Sequence, residues 1–180
     1  MKRSSRGKKA GATMRAVSLA DALAIIEGAF ADAARRKLRP LTAVVLDAGG
    51  HVKAALKQDG CSMLRFEIAC GKAYAALALG RSSRLVLRKS REKPIFMENL
   101  QRLAPGPMFL EGGGQLIRDA VSGEVVGAIG VTGDVNEMDD LAAVAGIRAA
   151  SYRSDYDFSK PSDIHAMNIK EDKLPRPPKR

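Results

Sequence analysis

Residues 112–150, GGGQLIRDAVSGEVVGAIGVTGDVNEMDDLAAVAGIRAA, read as a hairpin whose second strand passes through a glycine turn into a helix. Gln115 to Asp119 forms one short run and Glu124 to Thr132 the other, with Ser122-Gly123 as the turn between them. In the second run both parities are apolar or small. Val125, Gly127, Ile129 and Val131 fall on one side and Val126, Ala128 and Gly130 on the other, which describes a central strand covered on both faces. Gly133-Asp134 then ends the strand. Asn136 and Asp139, three residues apart, have the form of a helix start, and Leu141, Val144, Ala145 and Ile147 give that helix one apolar stripe to about Ser151. A strand, a glycine turn and a helix N-terminus together can hold an anion. Here Gly127, Gly130 and Gly133 do not follow the dinucleotide pattern, and Asp134, Glu137, Asp139 and Asp140 would repel a phosphate. The glycines are read first as residues for tight turns and close packing.

Upstream, Ser18-x-x-Asp21 opens a helix whose stripe Leu19, Leu23, Ile26, Phe30 and Ala33 runs to about Lys37, before Pro40 breaks it. Leu41 to Asp47 is a strand, Gly49-Gly50 a hairpin turn, and His51 to Lys57 the returning strand, with His51 on the side of Lys53 and Lys57 by parity. Ser62 is a cap for a helix from Met63 to Leu79 that is apolar on nearly every side and ends at Gly80, the form of a helix buried between layers or subunits. Ser82 or Ser83 starts a basic helix to about Arg91, Pro94 another to about Leu103, and Met108 to Glu111 reads as a short strand. Helices and adjacent hairpins in this order predict an α+β fold with an antiparallel sheet of about five strands flanked by helices.

The 180 residues allow one domain with tails. The formal charge of +10 is not spread evenly. Residues 1–15 carry +6 and residues 152–180 carry +2, so the middle is nearly balanced. The boundaries follow: a disordered basic arm at 1–15, a folded domain at 16–151, and a flexible tail at 152–180 with Pro175, Pro177 and Pro178 near its end. Met14 is a candidate alternative start. The arms can add salt-sensitive, nonspecific affinity for polyanions, but no tryptophan and 4% aromatic residues exclude a base-stacking platform, so no specific nucleic acid is expected. Cys61 and Cys70 lack metal-site spacing. No segment has the length of a membrane span, and the cytoplasm is the expected location.

Several segments together resemble the GlcG/HbpS family of small haem-binding and glycolate-operon proteins. They are Leu46-Asp47-Ala48-Gly49-Gly50-His51, Gln58-Asp59-Gly60, Gly71-Lys72-Ala73-Tyr74, Ala78-Leu79-Gly80-Arg81-Ser82-Ser83, Gly112-Gly113-Gly114, Ile117-Arg118-Asp119, the run from Gly127 to Gly133, and Ala145-Gly146. Their order and spacing carry the resemblance, over residues 17–151. It departs at Asp134, where a second glycine is common, and at Cys61, where alanine is common. The family also resembles the C-terminal domain of some cobalamin adenosyltransferases, whose enzyme activity belongs to their other domain. The resemblance implies a profilin-like fold, assembly into dimers or larger rings, and haem or a related tetrapyrrole as ligand, with a histidine as axial ligand in some members. Other members accompany small organic acids.

A haem site needs an axial ligand, an apolar slot and cations for the propionates. His51 is the one histidine of the folded part and the candidate for the metal; Arg81, Arg84 and Arg88 are the candidates for the propionates. His165 falls in the tail. An acid-base site would instead have to gather Asp47, His51, Lys72 and Asp134, with no nucleophile elbow or phosphate loop to support it. A third reading is an assembly or partner-binding protein with no cofactor. The all-round apolar helix and the two-sided strands predict a homo-oligomer.

Overall fold

The computed structural model describes residues 16–158 and 175–176. His165, the N-terminal arm and most of the predicted tail lie outside the described residues. The elements run α1 (Leu19–Arg36), β1 (Thr42–Asp47), β2 (Val52–Lys57), α2 (Arg65–Leu79), α3 (Ser83–Glu92), α4 (Pro94–Leu103), β3 (Gly114–Arg118), β4 (Val125–Thr132), α5 (Asn136–Ala149) and a short 3-10 turn at Asp155–Asp157. The fold is α+β, as expected. Its antiparallel sheet has four strands in the order β2-β1-β4-β3. The Met108 to Glu111 segment is not a fifth strand, because Phe109 donates its N–H to Gly71 O and the segment lies along α2 instead of a strand edge.

Local chemistry sets most boundaries. Ser18 caps α1 by accepting the Asp21 N–H, and Lys37 closes it in the left-handed conformation. Ser82 caps α3 and Pro94 occupies the first turn of α4. Two expected caps differ. Ser62 is not the cap of α2, which starts at Arg65 after Leu64, and Asn136 lies inside α5, whose N-cap is Val135 with no side-chain bond. Asp139 and Asp134 do that work, accepting the N–H groups of Asp134 and Val135 respectively.

The sheet is covered on both faces. Against one face α1 and α5 bury Ile25, Ile26, Ala29, Ala142 and Ile147 on Val45, Ile117, Ile129 and Val131. Against the other, Ala69, Ala73 and Ala76 of α2 meet Val44, Leu46, Leu116 and Ala128. Each fully buried Ile or Leu contributes about 1.5–3 kcal/mol relative to an exposed one, so these two layers hold the domain. The small residues of α2 permit a very close approach: a Cβ on Gly130 would lie 1.9 Å from Ala69 O, and one on Gly114 2.2 Å from Lys72 O. β4 is the central, doubly covered strand that the sequence predicts. A register shift opposite Ile117 and Arg118 interrupts its alternation, however, and places Val126 in the same cluster as Ile129 and Val131.

The chain beyond 151, assigned to the tail by its loss of periodicity, remains packed to the end of this described segment. Arg153 bridges to Arg118 through both backbone groups, Arg118 Nε lies 2.6 Å from Asp155 Oδ1 in a buried ion pair, and Arg153 stacks over the Phe158 ring. No described helix is long and apolar enough to cross a membrane.

Candidate functional site

His51 stands at the β1–β2 turn. Asp47, the last residue of β1, folds its carboxylate back over the turn and accepts the backbone N–H groups of Gly49 at 2.9 Å and His51 at 3.1 Å. Burial works to raise the Asp47 pKa, but those two N–H bonds and the nearby His51 and Lys53 charges outweigh it and leave the carboxyl below its usual range. The ionised carboxylate lies 3.5 Å from His51 Nδ1. At that distance the carboxylate stands on the Nδ1 side of the imidazole without a hydrogen bond to it, and Nε2 is left facing away from Asp47. The His51 side chain is 83% exposed. Tyr74 of α2 forms the adjoining surface, with its ring under both Gly50 and Gly106; a Cβ at Gly106 would meet that ring at 3.0 Å. Val52, next in the chain, is exposed on the sheet edge.

The arginines of α3 lie elsewhere. Ser83 accepts the Gly114 N–H at 2.8 Å and donates to Glu111 O, which ties α3 to the β3 edge, whereas His51 belongs to the β2 edge. Three strand spacings separate those edges, about 14 Å. Arg84 donates from Nη2 to the Tyr156 hydroxyl and its Nε lies 3.5 Å from Asp140 Oδ2. Arg88 pairs with Glu92 at 3.6 Å, and Arg81 reaches Leu79 O at 3.4 Å. The protein therefore does not bring His51 and the three arginines together within one copy.

Behind β3 is a buried polar network whose members the sequence names only singly. Asp140 Oδ1 accepts from Gly113 N and Gln115 Nε2, at 2.7 and 2.6 Å. Lys72, almost fully buried, donates to Asp139 Oδ2 at 3.0 Å and to Val131 O at 3.2 Å. Burial pushes the Asp139 carboxyl above its ordinary value, with the Lys72 ammonium pulling the other way. Gly113, at a positive φ, sits where a Cβ would strike Val131 O at 2.3 Å, so this network fastens the triple glycine to the sheet. The groups of an acid-base reading do not converge. Asp47 and His51 are at one end of β1, while Lys72 faces Asp139 and Asp134 pairs with Arg39 near the other, five residue rises or about 17 Å away. Among the described residues no group of three or more His, Cys, Asp or Glu could hold a metal ion.

Of these features, Asp47 was legible as a strand end and as a member of the acid-base set with His51, but not as the carboxylate that accepts the turn's N–H groups, and Tyr74 carried no signal beyond the family-like segment in which it lies. Both depend on the chain closing a hairpin over a helix some twenty residues further on.

The fold recurs in solved structures. The crystal structure of a PduOC:haem complex is similar at 22% identity and a TM-score of 0.66, covering 77% of this chain and 97% of that one. The ORFY protein of Klebsiella pneumoniae gives 22% identity and 0.67, covering 82% and 98%. A double mutant of HbpS from Streptomyces reticuli gives 22% and 0.65, covering 82% and 95%. No curated protein matches the sequence. The model of the family described as "Haem degrading protein HbpS-like" matches residues 17–148, nearly the whole described domain. With that match and this sheet and helix arrangement, the chain belongs to the HbpS-like family.

Proposed function

We propose that the protein is a small, homo-oligomeric haem- or tetrapyrrole-binding protein of the cytoplasm that binds its ligand without turning it over, with His51 as the axial ligand to iron. The observation that carries this is the exposed imidazole backed on its Nδ1 side by an ionised carboxylate. Membership of the HbpS-like family and the fold shared with a haem complex support the choice of ligand. The residues fit the group in their donor chemistry: an exposed imidazole for the iron and an aromatic surface, Tyr74, beside it. Bound haem would supply a redox-active iron centre, which His51 would hold. This chain's own contribution is the Asp47 carboxylate on the Nδ1 side of the imidazole and the turn that presents the ring to solvent.

At 83% exposure His51 is not enclosed by its own chain, so a flat macrocycle resting on it needs a second wall. We assign that wall to a second copy. Arg81, Arg84 and Arg88 would then serve the propionates across the interface, since they stand at the far edge of the sheet from His51. Exposed Met63, Leu64 and Phe66 near the start of α2 and Ile95, Phe96 and Leu103 on α4 support association, as does the open β2 edge. Both cysteines are free, which suits a reducing compartment. Titration of the purified protein with haemin tests the reading. A saturable Soret shift at one haem per chain or per chain pair is expected, and a linear, non-saturating response would reject it. The assembly reading without cofactor predicts that second result.

A further inference from the structure

At the opposite end of β1 from His51, the Pro40 bend, the Gly60–Ser62 turn and Gly133 enclose a cleft of about 190 Å³ lined by Arg39, Cys61, Ser62 and Arg65. Two guanidinium groups border it and no carboxylate is among its lining residues. Since a water's share of liquid volume is about 30 Å³, the space suits about six waters or an anion of a few heavy atoms.

The arginines are held differently. Arg65, the first residue of α2 and partly buried, donates from Nη1 to Thr132 Oγ1 at 2.9 Å, and among the described residues it has no ion pair. A guanidinium carries five N–H donors, so a partly buried one with a single bond retains capacity for a bidentate acceptor. Arg39 is more exposed, and its guanidinium lies 3.6 Å from Asp134 Oδ1. Asp134 is otherwise occupied, since it accepts the N–H groups of Arg39 and Val135. With Asp139 taking the Asp134 N–H as well, the N-terminus of α5 is filled by the chain's own carboxylates. Among the residues lining the cleft the cationic groups are Arg39 and Arg65, and the Arg65 charge also acts on Asp139. Behind the cleft, and not among its lining residues, stands Thr42. Thr42 pairs with Thr132 across β1 and β4, so its side chain shares the face on which Arg65 lands, yet its buried Oγ1 has no hydrogen-bond partner. A buried hydroxyl without a partner is costly, and such groups are commonly satisfied by a water or ligand.

We propose that this cleft binds a small oxyanion, a low-molecular-weight carboxylate or a phosphate, gripped by Arg65 and closed over by Arg39. The site is separate from the haem reading and stands or falls without it. Cys61, which lines the cleft, reports on it directly, and Cys70, a partly buried thiol raised by burial, serves as the internal reference.

The experiment measures the rate of alkylation of Cys61 and Cys70 by iodoacetamide in the full-length protein, by peptide mass spectrometry, in chloride and then with acetate, oxalate or phosphate at equal ionic strength. The expected result is a saturable slowing at Cys61 and not at Cys70, about tenfold when the anion exceeds its dissociation constant by that factor. Arg65→Gln should abolish the protection. Protection by phosphate alone assigns a phosphate ligand, by acetate or oxalate alone an organic acid, and by both a general oxyanion site. Equal Cys61 rates in chloride and in every other anion would overturn the proposal, as would undiminished protection in Arg65→Gln. Should Arg65→Gln fail to fold, Arg39→Gln, on an exposed side chain, takes its place with the same expected loss.

Discussion

Gly130 is the residue at which the sequence and the packing are most tightly joined. It lies at the centre of β4, level with Val44 of β1 and Gly114 of β3, and α2 crosses so closely there that any Cβ would sit 1.9 Å from Ala69 O and 2.9 Å from Ala73 N. Backbone cannot give way as a flexible side chain can. We therefore expect Gly130→Ala to push α2 off the sheet and to cost at least about 3 kcal/mol, measured as a lowered urea midpoint, with expression as aggregate the extreme form of the same effect. A stability change below 1 kcal/mol in that variant, on the scale of ordinary surface substitutions, would mean the helix sits further out. The glycine was visible in the sequence as a packing residue, but the identity of its neighbour was not. Periodicity marks which face of an element is apolar; it carries no information about which carbonyl will approach from forty or sixty residues away.

Among elements, the ones set by local chemistry were legible and the ones set by distant partners were not. Ser18 before α1, Gly80 after α2 and Pro94 at the start of α4 each act within one turn of the chain, and each was read correctly. Asn136 was a plausible cap for α5, but Asp139 is fixed by Lys72 of α2 and takes the Asp134 N–H, which leaves Asn136 inside the helix. Likewise the bulge opposite Ile117 moves Val126 to the face that simple alternation denies it. The candidate site divides in the same way: His51 and its turn were legible, while the separation of the α3 arginines from it depends on sheet order. The short turn at Asp155–Asp157 shows a further consequence. Burial acts to raise the Asp157 pKa, but bonds from Arg148 and Ser154 prevail and hold it below its usual value. A carboxyl more acidic folded than unfolded adds stability that is fully present above its unfolded pKa, about 4, and is lost as the pH falls through the lower folded value. Asp139, raised by burial, acts in the opposite sense, its contribution fading as the pH rises through the folded value. Asp157→Asn should thus reduce the melting temperature at pH 7 and flatten its decline on acidification below about pH 4, as read by thermal melts across pH. An unchanged acid limb in Asp157→Asn would place the effect in other carboxylates.

For the whole molecule, the loss of periodicity after Tyr152 hides a clasp made by polar groups. Arg118 and Asp155 are both buried, and removing one partner of such a pair costs about 3–5 kcal/mol because the other charge is stranded. Truncation to residues 14–152 looks harmless from the sequence, yet it deletes Asp155 and Tyr156, the partner of Arg84. Residues 14–152 should melt well below residues 14–158 in scanning calorimetry; equal melting temperatures for the two would make the clasp energetically idle. The exposed Met63, Ile95, Phe96 and Leu103 and the open β2 edge predict a dimer or larger assembly in light scattering at micromolar concentration, and a monomer mass would contradict it.

The proposed ligation of haem iron by His51 is checked by the haemin-titrated absorption spectrum of His51→Ala beside the wild type. Because His51 is an exposed turn residue, the substitution should leave the fold intact by circular dichroism. The expected result is that His51→Ala loses the saturable Soret shift or keeps it with altered spin-state bands and weaker affinity. A spectrum and affinity identical to the wild type would contradict it.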